Sequence, residues 1–220
     1  PNAEVCLANA DAAVYAAKEA GGNRFQIYDA SHELVVRHQN QLHWFSRIHA
    51  ALESNRFVLY AQKIGALSTR AREEGSHYEL LIRMLGENGE IIAPGEFLPA
   101  AERYNLMPLI DRWVVRHAFQ WFAVHGGQGR RIGMCSINVS GASLCDENFC
   151  DYVLKQFQEL RVPGEKICFE ITETMAIQNL QKTLEFMSRM KALGCRFSLD
   201  DFGAGFSSYG HLRTLPVDFV

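Results

Sequence analysis

The sequence predicts an α/β fold built on a mainly parallel sheet, and three observations carry that expectation. Strand-like runs alternate with segments whose apolar residues fall three and four apart, the period of an amphipathic helix. The later runs are apolar until their ends, Ile167-Cys168-Phe169 before Glu170 and Phe197-Ser198-Leu199 before Asp200, as suits a parallel sheet covered on both faces. No GxGxxG follows the first strand, which counts against a dinucleotide-binding sheet and puts a (β/α) barrel ahead of a doubly wound fold.

In chain order, a helical pattern runs from Asp11 to Ala20, with Asp11 as N-cap and Gly21 and Gly22 as the stop. A short strand, Phe25–Tyr28, follows. One helix and one strand cannot build a core, so residues 1–30 read as the end of a preceding domain and 31–41 as a linker. Beyond the linker, strands are predicted at Phe57–Ile64, Tyr78–Met84, Met134–Ser140, Lys166–Glu173, Arg196–Asp201 and Val217–Val220. Helices are predicted at Trp44–Leu52, Pro94–Tyr104, Leu109–Val124, Glu147–Leu160 and Leu180–Leu193. Gly86, Asn88 and Gly89 mark a turn in a hairpin-like insertion, Gly126, Gly127 and Gly129 a loop, and Arg70–Glu74 a solvated charged stretch.

With 48% hydrophobic and 21% charged residues, the chain can bury a core and has the composition of a globular domain. Its net charge of −3 offers no field for gripping a long nucleic acid, while a small anion held through a metal stays compatible. The six cysteines lack CxxC spacing and several sit in apolar runs, which reads as reduced, buried thiols in a reducing compartment. No apolar run reaches the roughly 18–20 residues that span a bilayer. The expectation is a cytoplasmic domain, with membrane anchoring upstream left open.

Glu79, Asn138, Glu170, Asp200 and Asp201 carry the chemistry. Each has a plain explanation taken alone. Glu79 could pair with Arg83 four residues along the same strand face, Asn138 could cap the following helix, and Asp200 and Asp201 could serve turn chemistry. Glu173 reads as an exposed carboxylate in the loop after the strand. Together they read differently, because four consecutive strand-like runs each deliver an acidic or amide oxygen at or near the carboxyl end, where barrel active sites gather. Adjacent carboxylates such as Asp200 and Asp201 repel unless a dication neutralises them. Oxygen donors without histidine or thiolate suit Mg²⁺ or Mn²⁺ rather than Zn²⁺, and the eight histidines show no HExxH spacing.

Around Glu79-Leu80-Leu81 the chain resembles the EAL-type cyclic-di-GMP phosphodiesterases from about Leu42 to Val220. The likeness includes Tyr60-Ala61-Gln62-Lys63-Ile64, Pro94-Gly95-Glu96-Phe97-Leu98-Pro99 with Ala101-Glu102, and Asp200 through Ser208. Ala10 through Lys18, then Gly21-Gly22-Asn23-Arg24, resembles the last helix and strand of a GGDEF diguanylate cyclase domain. The resemblance implies a (β/α)8 TIM-barrel-like EAL fold over residues 42–220, incomplete here, in a tandem GGDEF–EAL parent with possible sensor domains upstream.

It further implies that Glu79, Asn138, Glu170 and Asp200 hold one metal, and that Asp200 bridges to a second bound by Asp201. Two such dications, about 3.5–4 Å apart, activate a water and neutralise phosphate charge, so that cyclic di-GMP opens to linear pGpG. Gln62 and Arg83 would contact the ligand, Arg83 through its fork of donors. Glu173 would anchor the loop from Asp201 to Ser208, whose surroundings would also carry a homodimer contact.

Leu80, Lys63, Ala204 and Phe206 depart from the family pattern without removing a ligand. The pattern continues beyond Val220 with a lysine, a further acidic strand end, a glutamate and a glutamine. An open barrel leaves a sheet edge and an inner face uncovered, so further residues or a second chain are expected to complete it. A receptor that binds the nucleotide without turnover is the alternative function. An enolate-stabilising barrel enzyme has less support, since no lysine in the predicted strands sits at a carboxyl end.

Overall fold

The computed structural model describes residues 3–19, 21–29, 44–65, 75–125, 132–203 and 215–220. The expected linker, the Arg70–Glu74 charge run, the glycine loop at Gly126, Gly127 and Gly129, and the loop from Ala204 to Ser208 lie outside the described residues. The elements are α1 (Ala3–Glu19), a helix α2 over 44–53, β1 (Phe57–Ile64), β2 (Ser76–Leu85), β3 (Ile91–Ile92), α3 (Pro94–Arg103) and α4 (Met107–His125). They continue with β4 (Ile132–Asn138), α5 (Gly141–Cys145), α6 (Phe149–Leu160), β5 (Ile167–Thr172), α7 (Glu173–Gln178), α8 (Leu180–Lys191) and β6 (Arg196–Asp200).

The strands form one sheet in the order β1-β2-β4-β5-β6, with β3 paired to β2. β2, β4, β5 and β6 are parallel, whereas β1 runs antiparallel to β2. β2 and β3 make the expected hairpin, turning through Gly89 at φ 83°. Beside β6, Phe219 bridges Ser198, the one bridge made by the stretch expected as a strand from Val217 to Val220.

Register sorts the side chains by face. Ile137, Phe169 and Phe197 are aligned across β4, β5 and β6, all fully buried. They pack beneath the helix layer, with Phe186 of α8 set edge-on to Phe169 at 5.3 Å and to Phe197 at 6.0 Å. The opposite face carries Ser136, Cys168, Glu170 and Ser198 in register. One face of the sheet is therefore an apolar seat for helices, and the other is largely polar toward its carboxyl end.

Several expectations need correction. Helix α1 starts at Ala3, so Asp11 lies in its interior and is not an N-cap; the alanine-rich segment on both sides of it favours continuing the helix. Phe25–Tyr28 forms no strand. It is not part of the described sheet, and Phe25 and Ile27 are 89% and 75% exposed. β4 stops at Asn138 because Ser140, not Asn138, caps the next helix, its hydroxyl accepting from the Ser143 N–H at 3.2 Å. Glu173 opens α7 instead of lying in a loop, and it is buried.

Candidate functional site

The parallel register builds a row of oxygen donors on the polar face. Glu79 of β2 aligns with Ser136 of β4, Asn138 with Glu170 of β5, and Glu170 with Ser198 of β6. Residues in register share a face and residues two apart repeat it. Asn138 therefore shares the face of Ser136 and Glu79, and Asp200 shares that of Ser198 and Glu170. Each strand hands on one donor, with Asn138 and Asp200 as the last residues of their strands.

The Asn138 side-chain amide donates to Glu79 Oε1 at 3.0 Å. That contact occupies the donor end of the amide and leaves its oxygen for another partner. Burial pushes the Glu170 carboxyl above the usual range, and the charges of Glu79 and Asp200 push in the same direction; a hydrogen bond from Ser136 opposes them. Ser136, 1% exposed, was not singled out from the sequence, although its place two residues before Asn138 put it on the same face.

Asp201 breaks the strand with φ 53°, and its N–H turns back to Asp200 Oδ1 at 2.9 Å. In a continued strand it would fall on the opposite face; the left-handed turn ends that alternation, which an aspartate tolerates better than most residues. Two residues on, the Gly203 N–H donates to Glu173 Oε2 at 3.0 Å. The start of the loop after β6 is thus held by a buried carboxylate in the first turn of α7.

Gln62 is in register with Glu79 across the antiparallel pair, on the same face. Arg83 shares that face roughly 13 Å further along β2 at ~3.3 Å per residue. The plain explanation of Glu79 as its ion-pair partner does not hold: the Arg83 guanidinium donates to Ile82 O at 2.8 Å and lies over the Tyr60 ring at 5.4 Å. Arg83 is therefore placed at the rim, away from the carboxylate row.

The donor set fits a hard divalent cation: carboxylate and amide oxygens on one face of adjacent strands, with no histidine or thiolate among them. Among the described residues no three His, Cys, Asp or Glu side chains close into a preformed cage. The carboxylates stand on separate strands, Glu79 in the middle of β2 and Asp200 at the end of β6, and one donor of the row is an amide. Two cavities lie elsewhere. One of about 570 Å³ sits among α5, α6 and α8; one of about 700 Å³ lies between α4 and the apolar side of β1 and β2.

Fold and site together define a TIM-barrel-like α/β domain with an oxygen-lined face at the carboxyl ends of its parallel strands. The chain belongs to the EAL domain family, whose pattern matches residues 46–220. It is 43% identical over 219 residues to the cyclic di-GMP phosphodiesterase PdeB of Shewanella oneidensis, covering 100% of this chain and 25% of that protein. It is 34% identical over 175 residues to the cyclic di-GMP phosphodiesterase PdeF of Escherichia coli, covering 80% of this chain and 23% of that protein. The chain thus spans about a quarter of the length of these relatives. Its structure matches the EAL domain of FimX from Pseudomonas aeruginosa bound to c-di-GMP, with TM-score 0.71, 27% identity, and coverage of 79% of this chain and 68% of that one. No described helix is long and apolar enough to cross a membrane.

Proposed function

We propose that this chain is the metal-binding part of a bacterial phosphodiesterase domain that hydrolyses cyclic di-GMP to linear pGpG. The observation that carries the reading is the register, which sets Glu79, Asn138, Glu170 and Asp200 on one face of four adjacent strands in an EAL-family chain. Two Mg²⁺ or Mn²⁺ ions, when bound, would polarise the attacking water and neutralise charge on the phosphate. Glu79, Asn138, Glu170, Asp200 and Asp201 are the residues that would hold them. Asn138 would offer its amide oxygen, since its amide nitrogen donates to Glu79. Glu173 holds the backbone beyond Asp201. Arg83 and Gln62 would meet the nucleotide, Arg83 at the rim.

The parent protein is read as a GGDEF–EAL tandem acting as a homodimer, with residues 1–30 closing the GGDEF part. The motif Ala10 through Lys18 followed by Gly21-Gly22-Asn23-Arg24 supports the tandem.

The test is incubation of the full-length protein with cyclic di-GMP and Mg²⁺ or Mn²⁺, beside a Glu79→Ala variant. Linear product that disappears in the variant supports the enzyme. Tight nucleotide binding by the unsubstituted protein without product would replace it with a receptor.

A further inference from the structure

Asp111 brings a carboxylate into the helix layer. It belongs to α4 and is 5% exposed, a position where charge is costly without compensation. The compensation comes from the corner that follows β4. Asp111 Oδ2 accepts the backbone N–H of Ser140 at 2.9 Å and the hydroxyl of Ser143 at 2.6 Å. Ser140 is itself the N-cap of α5. From the sheet side, the Val139 N–H donates to the Glu170 carbonyl at 2.9 Å. The two residues after Asn138 are therefore tied to β5 on one side and to a buried carboxylate on the other.

We propose that Asp111 is a positioning residue for the strand-end site: its grip on Ser140 and Ser143 fixes the corner from which Asn138 presents its amide. The inference rests on the metal-dependent reading above. Alanine at this position would leave a part-buried N–H and a buried hydroxyl without their acceptor, and the corner would have to shift to satisfy them. Asparagine keeps the volume and one acceptor oxygen but adds two donors where the site supplies donors already. Loss of the Ser143 hydroxyl removes one of the two bonds and spares the other.

The experiment measures Mn²⁺ affinity by calorimetry and thermal stability on the full-length protein, for the unsubstituted chain, Asp111→Ala, Asp111→Asn and Ser143→Ala. Phe157→Leu is the control for a purely structural defect, since Phe157 packs on Phe119 at 4.5 Å between α6 and α4. Residues that orient metal ligands typically change metal affinity by about 10- to 100-fold when replaced. Asp111→Ala is expected to weaken Mn²⁺ binding about tenfold, with smaller losses for Asp111→Asn and Ser143→Ala and none for Phe157→Leu. Mn²⁺ affinity unchanged in Asp111→Ala, with a loss of Tm like that of the control, overturns the inference alone. Should Asp111→Ala fail to fold, unchanged affinity in both milder variants overturns it equally. Absence of Mn²⁺ binding by the unsubstituted protein overturns the metal reading and this inference with it.

Discussion

The Asn138 amide donates to Glu79 Oε1 across 3.0 Å, joining the last residue of β4 to the middle of β2. The contact makes Asn138 the neutral member of an otherwise acidic row. Asn138→Asp would set a second carboxylate against Glu79 and turn a hydrogen bond into repulsion. Without metal the variant should melt lower than the unsubstituted protein, and Mn²⁺ should raise its Tm by more. Melting curves with and without Mn²⁺ that match the unsubstituted protein would show that these residues do not share a charge environment.

Glu173 is 6% exposed and holds Gly203 by its backbone N–H. Glu173→Ala removes the acceptor of the Gly203 N–H, a loss of about 1 kcal/mol, since that exposed residue can turn to water. Glu173→Gln keeps an acceptor oxygen and should retain most of the stability. Amide hydrogen exchange at Gly203 should accelerate in the alanine variant and remain slow in the glutamine one. Unaltered exchange in both would remove Glu173 from the support of this loop.

The apolar face depends on its aromatic seam. Phe197 is fully buried and lies 5.8 Å from Phe169 and 6.0 Å from Phe186. Phe197→Ala should cost about 3–5 kcal/mol through lost burial and the cavity left behind, measured by denaturant unfolding. A cost below 1 kcal/mol would mean that α8 collapses onto the sheet and refills the space.

His117 stacks on Trp113 at 3.8 Å. Burial lowers its pKa from 6.5; the neighbouring charge of Arg116 acts in the same sense, and a hydrogen bond to the Trp113 carbonyl opposes both. The fold thus prefers neutral imidazole. Its contribution is fully present above pH 6.5 and is lost as pH falls through the lowered folded value. The unsubstituted protein should lose Tm on acidification by an increment absent from His117→Gln. Parallel Tm profiles for the two proteins would contradict this.

Long elements were legible because their patterns are local. Phe57–Ile64 was read end for end, and the helices beyond residue 43 came within a few residues of their limits, whereas the first helix begins eight residues before the expected Asp11. The five-residue α5 and six-residue α7 are too short to show a helical period, so Ser140 as cap and Glu173 as a helical residue were not visible. Phe25–Tyr28 shows the converse: a strand-like composition forms no strand where the segment is not taken into the sheet. Asp111 broke the apolar pattern of its helix and was the available signal for a buried carboxylate, but its partners lie 29 and 32 residues away.

By itself the sequence determined the kind of fold and the chemistry on offer. Apolar runs that end in Glu170 and Asp200, separated by helical periods, suffice for parallel strands with acids near their carboxyl ends. Tertiary structure alone decided that these acids form a row. A shift of one residue in any pairing would send Glu79, Asn138 or Glu170 to the apolar face, and register is set between strands remote in the chain. It also decided that the corner after Asn138 is held by Asp111, through the Ser140 N–H and the Ser143 hydroxyl. That support arises only when helix and sheet close together and a buried polar group must find its partner.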